Sequence, residues 1–148
     1  MVDKQEAKKI VIDAADTIVG RMASHAAKHA LNGAHVSVIN CEKAIITGTR
    51  AWILPHHARI RADRGQIRHG PYMHRSADKF VRRIIRGMLP WNKPRGQDAF
   101  RRVMCYKGIP PEFKIVKAET IPKAHVTKLT TLNYITVNDL CKHLGAKQ

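Results

Sequence analysis

The first third of the chain carries hydrophobic patterns that predict a strand, a helix and a second strand in turn. Residues 8–13 place three consecutive apolar side chains behind two lysines, which is typical of a buried strand. Small and apolar side chains recur at spacings of three and four in residues 18–32, which predicts a helix that ends at Gly33. Residues 36–40 predict a second strand, and residues 43–46 a third. A strand, helix and strand within about 30 residues form a βαβ unit, so we expect a parallel sheet.

The pattern of residues 76–88 predicts an amphipathic helix with one cationic face. At about 100° per residue, its apolar side chains fall within an arc of about 140°, and four cations fall within an opposed arc of about 100°. Asp78 is the only acid in the segment. A face that is merely solvated usually mixes acids with bases, so this face is predicted to bind an anion.

Periodicity is lost in residues 55–75, which are rich in arginine, histidine and glycine, and we predict a long loop there. Loops of this length are normally functional, disordered in isolation, or both. Residues 89–96 predict a rigid turn that carries Trp91. The indole either stacks on a base or ribose or closes the edge of the core.

Two further elements are predicted nearer to the C-terminus. Residues 102–107 suit a strand, although residues 97–104 suit a helix equally well. Thr136 begins a sequence that is typical of a helix N-terminal cap, and it predicts a last short helix that stops at Gly145.

The charge of the chain indicates what kind of partner this α/β protein binds. The chain has 148 residues, 44% of them hydrophobic, which is enough for one domain spanning residues 1–148. Its net charge is +16, of which residues 1–49 carry +1, residues 50–107 carry +12 and residues 108–148 carry +3. Such a surplus indicates a polyanionic partner. Nucleic acid fits better than a membrane surface, because the sequence shows neither a basic amphipathic terminal helix nor a lipidation motif.

The cations of the middle region are mostly arginines. Arginine supplies 12 of the 15 cations in residues 50–107, and its guanidinium forms forked contacts with phosphate that lysine does not form. The candidate RNA-binding residues are Arg50, Arg59, Arg61, Arg64, Arg68, His69, Arg75, Lys79, Arg82, Arg83, Arg86, Trp91, Lys93, Arg95, Arg101 and Arg102.

Motifs for catalysis, cofactors or metals are not found in the sequence. Neither GxGxxG nor GxxxxGK[ST] follows a predicted strand, and few acids lie near one another. Cys41, Cys105 and Cys141 lie far apart, so we predict buried free thiols rather than disulfides or a zinc site. We therefore expect no catalytic residue, no cofactor, no metal and no small-molecule substrate. A small α/β nucleotide-binding enzyme is the alternative that the fold class alone leaves open.

Several short segments, in the expected order, resemble the universal ribosomal protein thirteen family of the large ribosomal subunit. These segments are residues 11–14, 19–24, 38–43 and 47–48, then Arg-Gly-Met-Leu-Pro at residues 86–90 and Arg-Gly at residues 95–96. Residues 69–72 and 106–111 are similar to the archaeal and eukaryotic branch, and the end at Gln148 without a long basic extension favours an archaeal source. The resemblance covers residues 9–113 and is weaker over residues 114–148.

The resemblance implies an α/β protein with a three-layer α/β/α fold around a small four-stranded parallel sheet. It also implies a structural, non-enzymatic component of the large ribosomal subunit, in the cytoplasm. Such a protein would bind large-subunit ribosomal RNA early in assembly, on the outer surface and away from the peptidyl-transferase centre. The expected partners are ribosomal RNA and neighbouring ribosomal proteins, with no membrane. A non-ribosomal RNA-binding regulator of translation is the alternative function.

Overall fold

The βαβ unit predicted from the first third of the chain is present in the computed structural model, which describes residues 8–63 and 74–146. Strand β1 is Lys9–Asp13, helix α1 is Val19–Leu31 and strand β2 is His35–Ile39. The two strands run parallel, with Ile12 opposite Val38. Gly33 has a φ of +94°, the left-handed conformation that ends a helix with little strain in glycine.

The sheet differs from the prediction of four parallel strands. Within the described residues, the parallel sheet has three strands in the order β1-β2-β4, with β4 at Val103–Cys105. Strand β3, Ile45–Thr47, instead pairs antiparallel with β5, Tyr134–Thr136. The prediction of a four-stranded parallel sheet is therefore not confirmed, although Ile12 forms an isolated parallel bridge with Glu119 beside β1.

The separation of β3 from the main sheet has a local cause. Asn40 adopts a left-handed conformation with a φ of +56°, which asparagine tolerates better than most residues. Its side-chain amide donates a hydrogen bond of 2.9 Å to the carboxylate of Asp13, which holds the bend in place. A short 3-10 helix, Cys41–Lys43, follows and leads the chain away from the edge of β2.

Helix α2, Arg50–Ala62, occupies much of the segment predicted as a loop, so the prediction of a loop over residues 55–62 is wrong. The helix contains Pro55 and lacks a clear apolar face, and tertiary contacts stabilise it instead. Ile53 is fully buried, and the ring of His57 lies edge-to-face with Phe80 at 5.7 Å. The remainder of the predicted loop, residues 64–73, lies outside the described residues.

The other helices follow the sequence pattern closely. Helix α3 is Ala77–Gly87, helix α4 is Pro94–Arg101 and helix α5 is Val137–His143. The competing predictions for residues 97–107 are each partly right, because α4 gives way to β4 after Arg102. The cap of α5 is confirmed, since the Thr136 hydroxyl accepts a hydrogen bond of 3.1 Å from the Asp139 amide.

One cluster of buried side chains joins elements from the whole described chain. The small residues of α1, among them Ala23 and Ala26, let this helix approach β2, α3 and α4. Cys41, Cys105 and Cys141 are buried free thiols, as predicted. Burial raises the pKa of Cys141 to about 11, so its thiolate is scarce at neutral pH. None of the helices in residues 8–63 and 74–146 is long and apolar enough to span a membrane.

Candidate nucleic-acid interface

Helix α3 places a row of cations on the side opposite to its buried face. Phe80, Val81 and Ile85 are buried against the core. These contacts fix the rotation of the helix about its own axis, so the cations must point away from the core. We call the cationic surface formed by α3 and the following turn the basic surface, and it comprises Lys79, Arg82, Arg83, Arg86, Trp91 and Lys93.

Two aromatic rings hold arginines of the basic surface in defined positions. The guanidinium carbon of Arg82 lies 4.5 Å from the ring centroid of Phe100, and that of Arg86 lies 4.1 Å from the indole centroid of Trp91. Trp91 and Phe100 in turn meet edge-to-face at 5.3 Å. Cation–π contacts of this kind keep a guanidinium charged and oriented while its hydrogen-bond donors stay available for another partner.

These contacts bear on both interpretations of Trp91. Its ring packs against Phe100, as a residue at the edge of the core does, yet the side chain is 36% exposed and carries Arg86. Phe100 was not among the predicted site residues, because nothing in its sequence position shows that two basic-surface residues would meet it.

A closed turn brings Lys93 next to the end of α3. The amide of Trp91 donates to the carbonyl of Leu89 at 2.8 Å, and the amide of Lys93 donates to the carbonyl of Pro90 at 3.0 Å. Gly96 closes the turn so tightly that a Cβ there would lie 2.1 Å from the carbonyl oxygen of Pro90. Only glycine permits this approach of backbone to backbone.

Two open cavities lie on the basic surface and share Arg83 and Arg86. The larger, about 550 Å³, lies between α3 and the turn and includes Trp91 and Lys93 in its wall. The smaller, about 280 Å³, lies towards the start of α3 and includes Lys79, Arg82 and His74. No acidic side chain is among the described residues that line either cavity. The cations therefore converge on two concave sites where an anionic group is attracted and not repelled.

Three other predicted site residues donate hydrogen bonds to backbone carbonyls near helix ends. Arg61 donates to the carbonyl of Leu144, and Arg75 donates to the carbonyl of Gly145 at 3.2 Å. Arg102 donates to the carbonyl of Ala30, in the last turn of α1, at 3.1 Å. Carbonyls at helix C-termini carry partial negative charge, so these arginines stabilise the ends of α5 and α1.

The remaining predicted residues are spread along the surface. Arg59 pairs with Asp63 at 3.2 Å and Arg101 with Asp98 at 3.4 Å, and both pairs are solvent-exposed. Exposed pairs of this kind add little to stability and open readily. Arg50 and Arg95 are exposed, at the first turns of α2 and α4. The three other predicted residues lie outside the described residues, namely Arg64, Arg68 and His69.

A metal ion in a protein is typically held by three or more His, Cys, Asp or Glu side chains that lie close together. The part of the chain that the structure describes contains no such cluster. The site chemistry of the described residues is therefore that of fixed positive charges next to aromatic rings.

An α/β fold with a concave, acid-free cationic surface is typical of the nucleic-acid-binding class of proteins. Comparison of the sequence with known families agrees with this class. The profile of the family described as ribosomal protein L13 matches residues 7–112, so the chain belongs to the ribosomal protein L13 family. The match has almost the same bounds as the resemblance noted from the motifs, which is thereby confirmed.

Curated relatives extend the similarity beyond the family profile. The large ribosomal subunit protein uL13 of Methanocaldococcus jannaschii is 41% identical over 93% of this chain and 98% of its own length. The uL13 of Methanococcoides burtonii is 39% identical over 93% of this chain and 98% of its own length. The uL13 of Archaeoglobus fulgidus is 39% identical over 91% of this chain and 86% of its own length. The predicted likeness to archaeal proteins is confirmed. The family is one of structural proteins, so the chain is not an enzyme.

Proposed function

We propose that this chain is a structural component of the large ribosomal subunit that binds large-subunit ribosomal RNA through its basic surface. The relatives are themselves named as proteins of that subunit. The observation that carries the proposal is the convergence of Arg83 and Arg86 on two acid-free cavities of α3. Ribosomal RNA is the polyanion that a ribosomal protein meets.

The chemistry of the surface suggests contacts with phosphate rather than with base edges. Guanidinium groups pair with phosphate through two parallel hydrogen bonds, and A-form RNA exposes its phosphates while its deep major groove hides the bases. Arg83, Lys79 and Lys93 make the direct contacts in this proposal, together with Arg86 held on Trp91. Specificity then depends on the shape of the RNA that presents phosphates at the right spacing.

The other predicted residues have different roles in this proposal. Arg61, Arg75 and Arg102 first stabilise the fold, because they already donate to backbone carbonyls. The contact with RNA is extended at the periphery by Arg50, Arg59, Arg95 and Arg101. Arg59 and Arg101 leave their ion pairs with Asp63 and Asp98 and bind phosphate instead. Arg64, Arg68 and His69 are proposed to bind RNA on their sequence alone.

The family supports further parts of the proposal. We infer that residues 1–148 form one domain whose helices cover both faces of the sheet, and the cluster of buried side chains that the described elements share supports this. Assembly into the subunit takes place in the cytoplasm, early, on the outer surface away from the peptidyl-transferase centre. Neighbouring ribosomal proteins are the other partners.

RNA titrations at several salt concentrations test the role of the basic surface. Arg83→Ala and Arg86→Ala should each weaken binding to purified large-subunit ribosomal RNA by about tenfold or more, since a charge-assisted hydrogen bond to phosphate is lost. Each should also reduce the slope of log affinity against log salt by about one unit. The matched control is Lys28→Ala, which removes an exposed cation from α1, away from the basic surface.

Melting temperatures separate binding from folding in this experiment. Lys28→Ala should melt close to the wild type, because an exposed cation contributes little to stability. Arg86→Ala should also lose its contact with Trp91, which lowers the free energy of unfolding by about 0.5–1 kcal/mol, so RNA binding of each arginine variant is compared below its own melting temperature. Arginine variants that bind RNA with wild-type affinity and salt dependence would show that the basic surface is only a solvated face.

A further inference from the structure

An apolar pocket lies beside the basic surface and is not explained by phosphate contacts. It has a volume of about 420 Å³ and is formed by α1, α2, β3 and α3. Its floor includes Val19, Ile46, Phe80 and Ile84. Pockets that accept a small organic group in proteins have volumes of about 300–1,000 Å³ and mostly apolar walls with a few polar groups.

The polar groups at the rim of this pocket connect it to the basic surface. Arg83 lines the apolar pocket and also both basic cavities, and His74 lines the apolar pocket and the smaller basic cavity. Among the described lining residues the pocket contains no carboxylate. An apolar group that carries a negative charge is therefore attracted to Arg83 when it enters the pocket.

His57 supplies a hydrogen-bonding group at the pocket. Its Nδ1 is buried and has no hydrogen-bond partner among the described residues. Burial lowers the pKa of His57, so the ring is neutral near pH 7 and offers one donor and one acceptor nitrogen. Because Nδ1 has almost no exposed surface, a ligand in the open pocket meets the ring of His57 at its other atoms.

We propose that this pocket receives one nucleobase of ribosomal RNA, turned out of its stack, while Arg83 contacts the phosphate of the same nucleotide. The inference rests on the proposed RNA binding and adds to it a site that recognises a base. The flat apolar faces of a nucleobase suit the apolar floor of the pocket, and its hydrogen-bonding edge suits the ring of His57. The phosphate of the same nucleotide suits Arg83. Proteins that recognise RNA by sequence bind unstacked bases in this manner.

The charge at the rim argues for a nucleotide over an apolar side chain of a neighbouring protein. A protein side chain fills the floor equally well but carries no fixed negative charge next to its apolar body. Continuity with the basic surface through Arg83 places the pocket on the path of an RNA strand that already contacts α3.

Filling the pocket tests the proposal. Ile46→Phe places a larger side chain on its half-buried floor. Binding to purified large-subunit ribosomal RNA should weaken by about tenfold, which is the effect of losing the stacking of one base. Chemical probing of the bound RNA should reveal a nucleotide whose base is protected by the wild type and exposed with Ile46→Phe. The control is Ile60→Phe, the same replacement at a position on α2 that is 39% exposed and absent from the pocket lining.

Arg86→Ala distinguishes this site from the basic surface as a whole. At saturating concentration it should bind RNA more weakly but still protect the same base, because Arg86 is not part of the pocket. Ile84→Phe fills the pocket from α3 and replaces Ile46→Phe if that variant melts below the temperature of the assay.

The possible results each decide the proposal. Wild-type affinity and an unchanged protection pattern in a folded, pocket-filled variant would overturn it and leave RNA binding by the basic surface intact. Unchanged RNA affinity with reduced incorporation into large subunits would show that a neighbouring protein occupies the pocket, which also overturns it. If Arg83→Ala and Arg86→Ala bind like the wild type, the proposed RNA binding by the basic surface is wrong.

Discussion

Helices α2 and α3 are both rich in cations, but they use them in different ways. Helix α3 buries Phe80, Val81 and Ile85, and its cations converge on two cavities. Within α2 only Ile53 is fully buried. Its Arg59 pairs with Asp63, and its Arg61 donates to a carbonyl beyond α5. The number of cations on a helix therefore does not identify a binding surface. A helix directs its charges to one place only when a buried face fixes its orientation.

Removal of a core side chain from α3 should have the largest effect. Ile85→Ala should lower the free energy of unfolding by about 2–5 kcal/mol, because Ile85 is fully buried and leaves a cavity. Ile60→Ala in α2 should change it by less than about 1 kcal/mol, since that side chain is 39% exposed. Denaturant titrations measure both values. Equal losses would mean that the two helices depend on the core to the same degree.

Removal of the proline from α2 should have the opposite sign. Pro55→Ala restores an intrahelical hydrogen bond at an exposed position, so the free energy of unfolding should rise by about 1–3 kcal/mol. The matched change in α3 is Gly87→Ala, where a Cβ meets no atom within 4 Å, and the expected rise is about 0.5–1 kcal/mol. A loss of stability in Pro55→Ala would show that α2 packs better with proline than with alanine at this position.

Acidification should have the smallest effect, and it acts where the two helices meet. Burial, and secondarily the charge of His56, lower the pKa of His57. The folded state therefore binds a proton less readily than the unfolded state, whose histidine has a pKa of about 6.5. The contribution of neutral His57 to the free energy of unfolding is therefore complete above the unfolded pKa of about 6.5. It is lost as the pH falls from that value through the lower pKa of the folded state.

Melting curves at about pH 7.5, 6.5 and 5.5 measure this loss for the wild type and for His57→Gln. The variant should lose less stability between the first and last of these conditions. Identical pH profiles would mean that His57 keeps its ordinary proton affinity at the contact with Phe80.

Local periodicity predicted the elements whose sequence pattern is itself local. The βαβ unit and α3 follow from spacings within about 15 residues, and both are present. Helix α2 was not predicted, because Pro55 and the scattered apolar positions in its sequence disfavour a helix. The buried Ile53 and the contact of His57 with Phe80 stabilise it instead. The pairing of Ile45 with Thr136 was also not predictable, since a three-residue strand carries no signal for a partner so far along the chain.

The candidate site was also predictable only as far as local sequence pattern allows. Residue type and helical spacing identified the cationic face of α3. They did not show that Arg61 and Arg102 donate hydrogen bonds to backbone carbonyls or that Arg83 lines two cavities, because such contacts depend on where other elements end. The contacts of Phe100 with Arg82 and Trp91, and the apolar pocket, form only when segments that are distant in the sequence pack together.

The tight contact at Gly96 determines how much sequence change the turn after α3 tolerates. Any other amino acid places a Cβ against the carbonyl of Pro90, which is backbone and cannot rotate away. Replacement of Gly96 would therefore open the turn and displace Trp91 and Lys93, although Gly96 has no charge and no side chain. A loss of RNA binding after such a change would therefore reflect the altered turn and not the loss of a direct contact between Gly96 and RNA. In a library of variants, position 96 would resemble a contact residue by its intolerance alone, and only a stability measurement would separate the two.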